Sequence, residues 1–166
     1  MTTEPVVSIA EFRKLVGDMN AVMLTTIGAH GLMSCRPMAP RPLDELQPMQ
    51  LWFLTRAHTD AAQQVAQRSS VCVTYQSDVA NLYVVVYGRA EEIRDPARVK
   101  ATWRPMDEVF FPEGAASKDL RLIRVFPEEA VVWRGPGGLV GKAVAFVQAL
   151  ATGDARALGQ RVDVRL

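Results

Sequence analysis

The chain lacks the features that membrane, secreted and nucleic-acid-binding proteins need. None of its apolar runs approaches the roughly 18 residues that span a bilayer. The segment Met1–Pro5 lacks the basic region and apolar core of a signal peptide. Its 19 basic residues nearly balance its 18 acidic ones, which argues against a basic face for nucleic acid. We therefore expect a cytoplasmic protein that binds neither membrane nor nucleic acid.

Cysteine and histidine are also scarce. Cys35 and Cys72 both lie in apolar, strand-like runs, which predicts two buried reduced thiols, with a disulfide or a catalytic thiol as alternatives. Two histidines, His30 and His58, are too few for a metal cluster, and no cysteine pair has ligand spacing. The sequence also lacks a nucleophile elbow, a phosphate-cradling Gly-Lys-Ser/Thr loop and a dinucleotide fingerprint after a strand.

What is present is the composition of a globular domain. Hydrophobic residues make up 49% of the chain, and its length predicts one domain over residues 1–166. Ser8 and Glu11 form a capping box that opens an amphipathic helix over about residues 8–19. Short apolar runs then predict seven strands: Ala21–Ile27, Leu32–Met38, Leu51–Thr55, Val71–Gln76, Asn81–Arg94, Leu120–Phe126 and Glu129–Trp133.

Turn residues and a few helices separate these strands. Gly28 and Gly31 supply a hairpin turn with positive φ, and Gly88 marks a bulge or a bend. Helices are predicted from the cap Thr59 to Arg68, from Asp95 through Val99 and Trp103, and over Val140–Thr152, with a final strand at Arg161–Leu166. Strict alternation of strand and helix is missing. The pattern therefore favours a mainly β, antiparallel barrel with peripheral helices over a Rossmann fold.

Two runs, Ser34–Met38 and Leu51–Thr55, carry the most chemical information. Arg36 sits late in an apolar strand, where it must reach water, an ion-pair partner or a bound anion. Leu51–Thr55 ends where a short helix begins, and such a helix N-terminus favours anions. Thr55 and Thr59 either donate hydroxyls to an anion or serve only as caps. Together the runs suit a flat apolar ligand with an anionic tail, as in flavin mononucleotide.

The order of these motifs resembles a known family. Ala21–Thr26, Arg36-Pro37-Met38, Leu51–Thr55, Val71–Tyr75, Tyr83–Ala90, Trp103 followed by Phe111-Pro112, and Trp133 occur in that sequence. This pattern is similar to the general stress protein branch of the pyridoxamine 5'-phosphate oxidase-like, FMN-binding split-barrel proteins. The resemblance covers about residues 8–135 as barrel core and leaves a C-terminal helix and tail over 139–166.

The resemblance implies a six-stranded antiparallel split β-barrel that forms a homodimer, with flavin in two clefts at the subunit interface. FMN is the implied cofactor, with FAD as an alternative. In such proteins the matching strands line the flavin, the start of the short helix faces its phosphate, and tryptophans lie near the isoalloxazine, with the partner chain as their expected source. On this chain those positions are Arg36, Pro37, Met38, Phe53, Leu54, Thr55, Thr59, Trp103 and Trp133.

One position departs from the family pattern. Relatives usually carry a lysine two residues beyond the hydroxyl residue that opens the helix, whereas this chain has Ala61, preceded by Asp60. Arg56 or His58 could replace the lost cation. The alternatives are a flavin with a different tail or an empty cleft.

The expected function is that of a flavin-dependent oxidoreductase of unknown substrate. The alternatives are a non-enzymatic flavin carrier or sensor, and a dimeric scaffold that has lost its cofactor. The sequence assigns no catalytic acid or base.

Overall fold

The computed structural model describes residues 9–42, 49–136, 148 and 160–165. Its elements, in chain order, are α1 Ile9–Val16, β1 Val22–Ile27, a 3₁₀ turn Ala29–Gly31, β2 Met33–Met38, β3 Leu51–Arg56, α2 Asp60–Gln67, β4 Ser70–Ser77, β5 Leu82–Ile93, α3 Pro96–Ala101, α4 Asp107–Phe110, β6 Leu120–Arg134 and β7 Gln160–Arg165. Among these residues no helix is long and apolar enough to cross a membrane.

Six strands form one curled antiparallel sheet in the order β2-β1-β4-β5-β6-β3, and β7 pairs with β6 off that path. The two ends of the path meet where Pro40, just beyond β2, bridges Phe53 of β3. There the Arg41 amide donates to the Trp52 carbonyl at 2.8 Å. This contact brings the edges together, and the predicted six-stranded antiparallel split barrel is confirmed.

The barrel interior holds the main core. Alternate residues of the strands point inward, and α1 covers one end through Phe12, whose ring meets Tyr75 edge-on at 6.0 Å. Strand β3 is buried on both faces, which explains its uninterrupted apolar run. Phe53 joins the interior, whereas Trp52 and Leu54 face outward into a second apolar cluster with Val99 of α3.

Two predicted strands, Leu120–Phe126 and Glu129–Trp133, are wrong as separate elements, because they form the single strand β6. The interruption at Pro127 is absorbed by a register shift at Tyr87/Gly88, which confirms the predicted bulge. A Cβ on Gly88 would lie only 2.2 Å from the Phe126 carbonyl oxygen, so glycine is required there.

The hairpin turn differs from expectation at one glycine. Gly31 has a positive φ of 78°, as predicted, but its partner in the left-handed region is His30, with φ 57°. Gly28 has φ −84°. It serves close packing instead, because a Cβ there would approach the Gln64 Nε2 atom of α2 to 3.0 Å.

Three other expectations either differ from the structure or fall partly outside the described residues. Trp103 lies beyond α3, which ends at Ala101. Cys35 is an exposed thiol on β2 and Cys72 is half-buried, so the prediction of two buried thiols is wrong, although both are free. Ser8 and most of the predicted helix at 140–152 lie outside the described residues, Gln148 being helical, and the final strand is present as β7.

Candidate functional site

The end of β3 is joined to the start of α2 by two threonine hydroxyls. Thr59 caps α2, because its Oγ1 accepts a hydrogen bond from the Ala62 amide at 3.4 Å and donates to the Arg56 carbonyl at 2.8 Å. The buried Thr55 places its Oγ1 2.8 Å from that of Thr59. The two threonines thus hold the first turn of α2 in place, and the first helical amides lack acceptors within their own helix.

Arg36 is held against the same helix. Its Nη1 donates to Thr26 Oγ1 at 2.6 Å, and its Nη2 donates to Ser34 Oγ at 2.6 Å and to Gln64 Oε1 at 3.1 Å. Burial lowers the pKa of Arg36, while the nearby Cys35 and Asp60 act in the opposite direction. The guanidinium is therefore a positive charge beside α2, and its hydrogen bonds connect it to β1, β2 and α2.

The Arg36 partners were not predicted from the sequence. Ser34 and Arg36 share one face of β2, and Thr26 pairs with Ser34 across the hairpin, so the hairpin register contained a signal for these two. Gln64 lies on a helix that comes later in the chain and packs against the hairpin, and no local sequence pattern marks it. Thr26 is fully buried and also donates to Gln64 Oε1 at 2.5 Å.

The two side chains that could replace the missing lysine, Arg56 and His58, each contact a carboxylate. Arg56 Nε lies 2.8 Å from Glu113 Oε1, and this hydrogen bond raises the pKa of Arg56 and lowers that of Glu113. His58 Nδ1 lies 3.0 Å from Asp119 Oδ2. The local positive charge near the start of α2 is therefore already partly balanced by acidic side chains.

Ala61 occupies a position where a lysine would be hard to place. Only 5% of Ala61 is exposed, and it packs in the main core. Its neighbour Asp60, at the first position of α2, is exposed. The departure from the family pattern therefore exchanges a cation for a buried methyl group beside an acid.

The other predicted strand residues point in different directions. Pro37 is exposed and pairs with Met23, while Met38 is partly buried against the main core. Phe53 is fully buried inside the barrel, so it can reach a surface ligand only through its backbone. Leu54 faces the second cluster on the outside.

The two predicted tryptophans lie in different parts of the barrel. Trp103 packs against the second cluster, with its ring 6.4 Å from that of Phe111. Trp133 is 37% exposed near the far end of β6. In the sheet β6 pairs with β5, β3 and β7 and not with β2, so no strand pairing places Trp133 next to Arg36.

An apolar surface, here called the outer face, covers the outside of β2, β1, β4 and β5 and the end of β6. Tyr83 pairs with Trp133 and Cys72 with Tyr87, so the exposed side chains are neighbours in register. Its large exposed members are Met23, Met33, Tyr83, Tyr87 and Trp133. Exposed apolar side chains grouped on one side of a sheet are typical of an interaction site.

The fold and the match to a family model indicate the same class of protein. The six-stranded split barrel defines the class of protein, and residues 8–156 match the family model described as pyridoxamine 5'-phosphate oxidase like. The chain therefore belongs to that family. A comparison with curated proteins gives no match.

Solved structures show the same architecture. A general stress protein 26 from Jannaschia sp. CCS1 is similar at 24% identity and TM-score 0.72, covering 95% of this chain and 97% of that one. The general stress FMN/FAD-binding protein of Xanthomonas citri is 25% identical, with TM-score 0.66 over 78% and 89% of the two chains. A pyridoxamine 5'-phosphate oxidase-related, FMN-binding protein from Nostoc punctiforme PCC 73102 is 15% identical, with TM-score 0.58 over 77% and 87%.

Proposed function

We propose that this protein binds a flavin, with FMN as the first assignment, in a cleft between β2 and the start of α2. The observation that carries the proposal is Arg36, whose Nη2 donates to Gln64 of α2, the helix that Thr59 caps. A guanidinium group and helical amides both favour a phosphate. The flavin-binding names of the relatives from Xanthomonas and Nostoc support the same cofactor class.

The residues present fit the two ends of a flavin unequally. The strand Arg36-Pro37-Met38 offers an apolar edge next to a cation, which suits a ring system. The phosphate end has Arg36, Thr59 and helix amides, but Asp60 opposes it and no lysine stands at Ala61. We therefore keep FAD as the alternative cofactor, since its longer tail places charge elsewhere.

Homodimerisation is part of the proposal. The outer face is apolar and exposed, and no strand pairing places its Trp133 next to Arg36 in the same chain. A second copy of the chain on the outer face would cover these apolar side chains. It would also bring Trp133 of the partner subunit towards the cleft, where this side chain would face the flavin ring. Sedimentation at micromolar concentration should give a dimer, and Tyr87→Arg on the outer face should give a monomer.

The proposed activity is oxidoreduction on an unidentified substrate. A bound flavin supplies the capacity to accept and pass on a hydride. The chain's own residues bind and orient it: Arg36 and Thr59 at the tail, and the edge of β2 at Pro37 and Met38 along the ring, the two side chains lying on opposite faces of that strand. Trp103 is placed further out, over the second cluster. Two free cysteines fit a reducing compartment, which supports a cytoplasmic location.

The test is to purify the protein and identify any released small molecule by absorbance and mass. FMN or FAD would support the proposal, and flavin-free protein that stays colourless after reconstitution would contradict it. Anaerobic reduction then separates an enzyme from a carrier or sensor. A bound flavin that neither NADH, NADPH nor candidate substrates reduce would favour the non-enzymatic alternative.

A further inference from the structure

The guanidinium of Arg36 is surrounded by acceptors of its own chain. Its Nη1 donates to the Leu24 carbonyl at 3.3 Å and to Thr26 Oγ1 at 2.6 Å. Its Nη2 donates to Ser34 Oγ at 2.6 Å and to Gln64 Oε1 at 3.1 Å. The two Nη atoms together carry four N–H groups, so these contacts are enough to occupy all of them. None of these acceptors is charged, although the group that they surround is a cation.

A phosphate cannot bind Arg36 in the usual two-pronged way while all these contacts remain. A guanidinium group binds phosphate through two parallel N–H groups. Each edge of the guanidinium that presents such a pair includes at least one Nη atom. A phosphate that binds Arg36 must therefore replace at least one of the present acceptors.

Gln64 is the acceptor that can leave. The Leu24 carbonyl is part of the paired strand β1. Thr26 and Ser34 carry short side chains on paired strands, and Thr26 is fully buried. Gln64 instead reaches Arg36 with a long side chain from a half-buried position on α2. Its hydrogen bond to Arg36 is also the longest of the three that side chains make there.

The Gln64 amide oxygen occupies a position suited to an anionic oxygen. It accepts hydrogen bonds from Arg36 Nη2 and, at 2.5 Å, from the Thr26 hydroxyl. Gln64 and Asp60 are four residues apart on α2 and therefore share one face of the helix. The Gln64 amide thus lies on the helix face that leads from Arg36 to the first turn of α2, where the phosphate is proposed to bind.

We propose that Gln64 competes with the flavin phosphate for Arg36, an inference that rests on the proposed flavin site. When the phosphate binds, the Gln64 side chain turns away, and a phosphate oxygen takes its contact with Arg36 Nη2. The exchange favours the ligand, because an anion is a stronger acceptor for a guanidinium than a neutral amide is. Gln64 nevertheless lowers the affinity for FMN, and riboflavin, which has no phosphate, is unaffected. Gln64 therefore sets how strongly the cleft prefers a phosphorylated flavin.

The test is fluorescence titration of the flavin-free full chain with FMN and with riboflavin. Gln64→Ala should tighten FMN binding by roughly threefold to tenfold, because the phosphate no longer has to break the hydrogen bond between Arg36 and Gln64. Its affinity for riboflavin should stay unchanged. Gln64→Glu should weaken FMN binding by about tenfold or more, since a carboxylate holds Arg36 more strongly than an amide does.

Gln63→Glu is the matched control, because it places the same charge at the adjacent, exposed position of α2. Salt screens an exposed charge, so its effect on FMN binding should stay below about threefold. An unchanged or lower ratio of FMN to riboflavin affinity in Gln64→Ala would overturn the competition while leaving the flavin site in place. Equal losses of FMN affinity in Gln64→Glu and Gln63→Glu would do the same.

The titration also separates this inference from the flavin site itself. If neither the wild type nor any variant binds FMN, the flavin site and the competition are both overturned. FMN binding that appears only in Gln64→Ala would support the competition, because the cation is then available to the phosphate.

Discussion

Arg41 and Asp107 form a two-pronged ion pair inside the protein. Arg41 Nη1 donates to Asp107 Oδ2 at 2.6 Å, and Arg41 Nη2 donates to Oδ1 at 2.8 Å. Only 5% of Arg41 and 6% of Asp107 are exposed. Arg41 Nη1 also donates to the Thr102 carbonyl at 3.2 Å. Arg41 thus fixes the segment between β2 and β3 to Thr102, just after α3, and to the first residue of α4.

Removing one partner of this pair should strongly destabilise the fold. Asp107→Asn leaves the Arg41 charge buried without compensation, and we expect a loss of about 3–5 kcal/mol in the free energy of unfolding. Urea denaturation followed by circular dichroism measures it. The double variant Arg41→Met/Asp107→Leu should recover part of the loss, and a double variant less stable than Asp107→Asn would contradict this interpretation.

The same pair predicts a pH dependence. Burial alone would raise the pKa of Asp107, but hydrogen bonds from Arg41 and the Arg104 amide outweigh it, so the folded-state pKa lies below the ordinary 3.8. A lowered pKa gives stability that is complete above the unfolded-state value and is lost as the pH falls through the folded-state value. The stability difference between the wild type and Asp107→Asn should therefore shrink between about pH 5 and pH 2. A constant difference across that range would contradict it.

The bulge of β6 opposite Gly88 gives a prediction about the backbone. Gly88→Ala places a Cβ where the Phe126 carbonyl lies 2.2 Å away, so the paired strands must separate. We expect a loss of about 1–3 kcal/mol. The neighbouring Arg89→Ala removes only an exposed ion pair and should change stability by less than about 1 kcal/mol. Equal effects of the two substitutions in thermal or urea denaturation would show that the bulge has no special requirement.

The start of α2 gives a prediction about flavin affinity. Asp60→Asn removes an exposed negative charge from the first turn and should tighten FMN binding by roughly threefold to tenfold. Riboflavin, which lacks the phosphate, is the control and should bind unchanged. An equal gain for riboflavin would place the phosphate elsewhere. Ala61→Lys is a poorer probe, because it forces a charge into the core and should destabilise the fold.

The barrel could be predicted from local sequence signals, and most strand positions followed from short apolar runs between turn residues. The break at Pro127 misled the prediction, since only the partner strand shows that a bulge at Gly88 absorbs it. His30 took a left-handed conformation that a second glycine was expected to take. These errors share a cause: the deciding contact comes from another strand or helix.

The candidate site was predictable only in part, because its deciding contacts also come from other strands and helices. Arg36 stood out because a charge in an apolar strand needs a partner, and the structure supplies several. The identity of those partners depended on tertiary packing, most clearly for Gln64. The inward direction of Phe53 followed only from the sheet register, and the position of Trp133 on a strand that does not pair with β2 followed only from the strand order.

The most direct test of the flavin proposal is equilibrium dialysis of flavin-free protein against FMN, with Arg36→Met as the variant and Arg89→Gln as the control. The account predicts near-stoichiometric binding by the wild type and the control. Binding should be weakened about tenfold or more in Arg36→Met, because a charged contact to phosphate is lost. Binding that is absent from the wild type, or equal in the wild type and Arg36→Met, would contradict the central claim that Arg36 and α2 hold a flavin.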